Sequence, residues 1–227
     1  MKNKLLKGAH LSGRKCGEIL QLFCDDLTAT QIAEITGVSR VTINNYFKLI
    51  RNHIAAHCEK GKTYTTGADN ISDPAIGYNS DEHAYYGFSI RNDVIKTQWL
   101  KDIRAESLQQ LQNTKPNATI SKITFPEFEH FHAVADCAEW NLYWIGTPQN
   151  NLLNQAGLAS DIGSFWQHAK GRLLKFRGMS KKTLYLHLKE CEFRYNFRND
   201  ELFPVLMNII NTSSNTTNLA MMYDLVS

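Results

Sequence analysis

Between Thr28 and Ile50 the sequence TATQIAEITGVSRVTINNYFKLI sets out five side chains able to hydrogen-bond outward: Arg40, Thr42, Asn44, Asn45 and Lys48. Their chemistry suits double-stranded DNA. An asparagine amide pairs bidentately with adenine, an arginine with guanine or a phosphate, and a lysine ammonium neutralises phosphate charge. Ser39 stands just before them and joins the same set of candidate DNA contacts. A second basic run spans 170–198, where nine Lys or Arg face only Glu190 and Glu192, a local balance of +7. Within it Lys170, Arg172, Lys175, Arg177, Arg194 and Arg198 are the candidate phosphate contacts, and such a cluster makes binding fall steeply with salt. The competing reading of that run is a solvated helical face with internal ion pairs, such as Glu192 with Arg194 or Arg198. His53, His57 and Cys58 lack a fourth ligand at metal-site spacing and read as helix-end residues. Cys137 and Cys191 have no evident base beside them and read as buried small hydrophobes.

Positioning these groups requires helices first. Residues 12–56 read as three helices, the first with Cys16, Ile19, Leu20 and Phe23 on one stripe. Thr28 caps the second, whose Ile32, Ala33 and Ile35 face inward, and Gly37 supplies a left-handed turn. Ser39 caps the third, with Val38, Ile43, Phe47 and Ile50 on its buried side, which leaves the five polar residues pointing away. Glu59 to His83 has a linker's composition. A hairpin follows, AYYGFSI and VIKTQW about the turn residues Arg91-Asn92-Asp93, then a helix at about 99–113 and strands at 118–125 and 130–135. Ile162, Phe165, Trp166, Ala169 and Leu173 share a face of a helix that Gly178 ends; Ser180 caps another carrying Leu184, Leu188, Cys191 and Tyr195. The polar run 211–218 predicts a mobile tail. The expected organisation is a three-helix helix-turn-helix domain over 1–58, a linker over 59–83, a mixed α/β domain over 84–210 and a flexible tail over 211–227.

The formal charge of +3 and pI near 8.5 are only mildly basic, so local clustering must carry any polyanion argument. Five scattered cysteines with no C-x-x-C pair fit reduced thiols and a reducing cytoplasm. The basic N-terminus has no apolar signal region, and no stretch approaches eighteen uninterrupted apolar residues, which predicts neither export nor membrane spanning. No small-molecule motif is visible.

The stretch 159–198, ASDIGSFWQHAKGRLLKFRGMSKKTLYLHLKECEFRYNFR, resembles the end of the small bacterial insertion-sequence transposases related to the eukaryotic Merlin elements. Ile162, Phe165-Trp166, Lys170, Arg172, Leu173 to Phe176, Gly178, Leu186 to Glu192, Arg194, Asn196 and Arg198 carry the resemblance. YYGFSIRND (85–93) is similar to the family's strand-turn-strand, and EFEHFHAV (127–134) to a segment leading towards its third catalytic acid. The resemblance implies an RNase H-like fold, here shortened, and a bacterial protein at the nucleoid.

It also implies DDE chemistry, in which three acids hold two divalent metals, Mg2+ or Mn2+, that activate water or a 3′ hydroxyl and stabilise the leaving oxygen. The acids are poorly matched. Asp81 is a displaced remnant of the first, Asp136 substitutes for a second that the interval 115–125 lacks, and the third position holds Gly163. Asp161, two residues earlier, is rotated about 160° away on a helix. The expectation is therefore a transposase-derived DNA-binding protein, alone or as a homo-oligomer, that has lost catalysis and needs no metal. Its rivals are an active DDE transposase using Asp81, Asp136 and Asp161, and a helix-turn-helix transcription regulator.

Overall fold

The computed structural model describes residues 11–60, 85–101, 103–146, 156–175 and 180–223. The chain divides into two compact units, Met1–Lys62 with Phe197–Ser227, and Thr63–Asn196.

The first unit is helical. In α1 (Gly13–Cys24) the side chain of Ser12 caps the amide of Lys15 at 3.3 Å, and Cys16, Ile19, Leu20 and Phe23 are buried as their spacing predicts. A reciprocal capping box starts α2 (Ala29–Thr36): the Gln31 amide donates to Thr28 Oγ1 at 3.3 Å and the Thr28 amide to Gln31 Oε1 at 2.9 Å. Gly37 then takes φ 69°, where a Cβ would be resisted, and closes the helix by donating to Ala33 O at 2.9 Å. Three residues later α3 (Arg40–Glu59) begins, and Ile43, Phe47 and Ile50 are buried. Phe23 meets Phe47 edge-on at 5.1 Å, and the Arg51 guanidinium lies 5.2 Å over the Phe47 ring.

Two expectations change in this unit. Ile35 is 56% exposed instead of inward, because α2 is only eight residues long and turns its Ile32–Thr36 edge to the core; the Thr36 hydroxyl donates to Ile32 O at 2.7 Å. The predicted tail is helix: α7 (Leu202–Tyr223) runs through the polar stretch and packs on α1 and α3 through Leu206, Ile209 and Ile210. Residues after 196 therefore belong with the N-terminal helices, not with the α/β domain.

The second unit is a mixed α/β layer structure. Strands β1 (Tyr85–Arg91), β2 (Val94–Trp99), β3 (Thr119–Ser121), β4 (Ala133–Asp136) and β5 (Asn141–Gly146) form one sheet in the order β2-β1-β4-β5-β3. All neighbours are antiparallel except β3 and β5. The β1–β2 turn places Asn92 at φ 50° and Asp93 at φ 61°, the pair of left-handed residues that a tight hairpin needs. Alternation then divides the strands between two faces. Tyr86, Phe88, Ile90, Ile95, Ala133, Ala135 and Leu142 pack against α5 (Ala156–Leu173) and α6 (Lys181–Asn196). Tyr85, Val134, Tyr143, Ile145 and Ile120 pack against Leu111 of α4 (Ala105–Asn113) and against Phe125 and Phe128 of the following 3₁₀ segment. Gly87 lies on this second face, and a Cβ there would strike the Phe131 ring, so the ring lies directly on the strand.

The sequence reading placed no strand at 141–146, and only three residues of 118–125 are strand. Asp81, most of the expected linker, and Gly178 lie outside the described residues. Among the described residues no helix is long and apolar enough to cross a membrane.

Candidate nucleic-acid interface

The start of α3 is secured twice. The Thr42 amide donates to Ser39 Oγ at 3.2 Å, and the Ser39 and Thr42 hydroxyls share a hydrogen bond at 2.8 Å. Those two residues therefore serve the cap, and Thr42 is half-buried. Arg40, Asn44, Asn45 and Lys48 are exposed. So are Val41, at 70%, and Asn52, so the outward row reads 41, 44, 45, 48 and 52, one helical turn after another. The sequence reading omitted Val41 and Asn52; carrying the helical period one position back and one turn on would have found them. Because α3 is buried on its opposite side by Ile43, Phe47, Ile50 and Ile54, this row is held out on a rigid rod.

The second basic run is partitioned differently. Arg172 and Arg194 both donate to Glu190 Oε1, at 3.0 and 2.9 Å, with Glu190 2% exposed in its side chain. Lys189, 1% exposed, donates to Glu192 Oε2 at 2.8 Å and to Thr97 O at 2.6 Å. Glu192 Oε2 in turn accepts from the Thr97 amide and hydroxyl at 2.9 and 2.7 Å. Asn196 continues this strip, accepting from the Ile95 amide at 2.9 Å and donating to Ile95 O at 2.8 Å. Thus α6 is fastened to the edge strand β2 by polar groups. The internal pairing foreseen as the competing reading is present with other partners. Lys170 donates to Trp140 O at 3.0 Å, in a turn where Trp140 sits at φ 59° and stacks on Trp166. Lys175 and Arg198 are exposed, but Arg198 belongs to the helical unit, and Arg177 lies outside the described residues. Within the sheet unit, Arg172 and Arg194 are thus drawn to Glu190 and Lys170 to Trp140 O, while Lys175 is exposed.

The candidate acids are also apart in role. Asp136 is 2% exposed, and its Oδ1 accepts from the amides of Ala138 and Glu139 at 2.8 and 3.2 Å, which shapes the β4–β5 turn. Asp161 is half-buried on α5, where its backbone oxygen accepts from the Tyr195 hydroxyl at 3.1 Å. At Gly163 an added Cβ would meet nothing within 4 Å, so there is room for a side chain but none to bind a metal. Among the described residues no three His, Cys, Asp or Glu side chains are grouped to hold a metal ion. Burial, with the Glu190 charge adding to it, pushes the Cys191 thiol up to about 12, and burial raises Cys137 as well. Neither is a thiolate nucleophile near neutral pH.

Over 85 residues the chain is 34% identical to an uncharacterized transposase-like protein of Haemophilus influenzae, an overlap of 37% of this chain. That overlap spans 65% of the relative's length. No family model matches the sequence, and no solved structure matches the fold.

Proposed function

We infer that this is a transposase-derived protein whose working activity is to bind double-stranded DNA, with α2, the Gly37–Ser39 turn and α3 acting as a helix-turn-helix. The observation that carries the reading is the exposed side of α3, a helix with a doubly secured start, which presents Arg40 and the outward residues Asn44, Asn45, Lys48 and Asn52. A helix of this width enters the major groove, and amide and guanidinium groups near its start match the donor and acceptor patterns of base edges. The similarity to a transposase-like protein supports the same partner. In this reading the mixed sheet and its helices are a shortened RNase H-like domain kept without its chemistry. Asp136 is committed to a turn, and Gly163 stands where the resemblance asks for an acid.

Arg40→Ala with Asn44→Ala is the direct test. Loss of one good base contact costs about 1–3 kcal/mol, so the double variant is expected to bind a selected duplex at least tenfold more weakly by fluorescence anisotropy at moderate salt. Unchanged affinity would remove α3 from the interface. Catalysis is tested separately: with Mg2+ or Mn2+ present, the protein is expected neither to nick nor to join duplex DNA. Metal-dependent cleavage abolished by Asp136→Ala would reinstate the active transposase.

A further inference from the structure

One end of the sheet gathers basic side chains on a single face. Arg91 ends β1 and, by alternation, shares the face of Tyr85 and Gly87. Lys96 of β2 pairs with Ser89 on that same face, since its neighbours Ile95 and Thr97 turn towards α6. His132 comes one step before β4, on the side of Val134; its amide donates to Phe88 O at 2.8 Å, and its carbonyl accepts from Ile145 at 2.9 Å. Lys122 follows β3 on the side of Ile120, with its amide bonded to Gly146 O at 2.9 Å. The order β2-β1-β4-β5-β3 and its registers therefore put Lys96 and His132 at the level of Ser89, with Arg91 and Lys122 two residues further towards the same end of the sheet.

The imidazole shows what this crowding does. His132 Nδ1 accepts from the Ile90 amide at 3.3 Å, which leaves the ring proton on Nε2. Burial, then the charges of Lys122 and Arg91, hold its pKa below the usual histidine value, so a neutral donor sits among cations. Glu129 is the carboxylate that acts on Lys122. Arg91 is exposed, and Lys96, Lys122 and His132 are half-buried, so all four border solvent. A phosphodiester would accept charge-assisted hydrogen bonds from such groups.

We propose that Lys96, Arg91, His132 and Lys122 form a second DNA contact, on the sheet unit, that grips backbone phosphates without reading bases. It takes over the role that Arg172 and Arg194 are held away from by Glu190. The inference rests on duplex DNA being the partner, but not on α3 being the element that reads it.

Salt dependence separates the two. Each phosphate contact contributes about 0.9 to the slope of log K against log salt concentration. Binding to a mixed-sequence duplex is measured over a KCl series for the full chain, Arg91→Ala with Lys122→Ala, Arg91→Lys with Lys122→Arg, and Arg40→Ala with Asn44→Ala. The alanine pair at the sheet is expected to flatten the slope by about 2. The charge-preserving pair is expected to keep it. If the alanine pair melts early, glutamine at both positions keeps side-chain length without charge and is expected to flatten the slope equally. An unchanged slope in the charge-removing variants overturns the sheet contact, and a weakened α3 variant beside it leaves the helix reading standing. A flattened slope with an unaffected α3 variant has the opposite meaning. If the full chain binds no duplex, both fall.

Discussion

Lys189 and Glu192 show why a side chain's charge does not settle its function. Both sit on α6 three residues apart, 1% and 0% exposed, and between them they satisfy the backbone and hydroxyl of Thr97 on β2. Among the described residues Glu192 Oε1 has no hydrogen-bond partner, while Oε2 accepts from the Lys189 ammonium. Lys189→Met is expected to leave this carboxylate buried and uncompensated, at about 3–5 kcal/mol of unfolding free energy in urea titration. Adding Glu192→Gln, which keeps an acceptor for Thr97 and removes the charge, is expected to restore much of that. A Lys189→Met protein as stable as the original would mean that the pair contributes nothing. In the sequence these residues entered only as terms in a local charge sum. Helical spacing can suggest that Lys189 and Glu192 are neighbours. It cannot say that both are buried under an edge strand 92 to 95 residues away.

Among the elements, the early helices were legible because each boundary has a local cause: Thr28 with Gln31, Gly37, and Ser39 with Thr42. The hairpin was legible for the same reason, through Asn92 and Asp93. β5 was not, because Leu142 serves one face and Tyr143 and Ile145 the other, and a strand buried on both sides loses its alternation. α7 was misread from its polar second half. Its helix is anchored by Leu206, Ile209 and Ile210 at i, i+3 and i+4, and packing of such a stripe outweighs the weak propensity of Asn, Thr and Ser. Leu206 is 0% exposed. Leu206→Ala is expected to cost about 2–5 kcal/mol and to loosen α1 and α3 with it, read as a lowered urea midpoint and faster amide exchange in α3. Intact exchange protection in α3 would show that α7 is an appendage.

At the scale of the whole molecule, the modest net charge of +3 conceals an uneven distribution. The C-terminal run looked like the basic surface, yet two of its cations close on Glu190, and at the sheet end the hairpin cations Arg91 and Lys96 are joined by Lys122, which no short window along the chain would group with them. That second cluster needs the strand order, which is not sequential, before it exists at all. Its histidine has a thermodynamic consequence shared with the other unit. His132 is held below its ordinary pKa by burial and by Lys122 and Arg91, and His53 by burial alone. A depressed folded-state value means that the unfolded chain takes up more protons as pH falls, so the associated stability is complete above about 6.5 and is lost below it. The urea midpoint is therefore expected to fall between pH 7.5 and pH 5.5. Glu127, which burial raises but hydrogen bonds to Arg104 and Ser107 bring to a net lowering, loses its contribution only below the ordinary glutamate range and does not enter this interval. His53→Gln with His132→Asn is expected to flatten the profile, the asparagine Oδ1 standing in for Nδ1 as acceptor from Ile90. A midpoint equally sensitive to pH in that variant would place the titrating groups elsewhere.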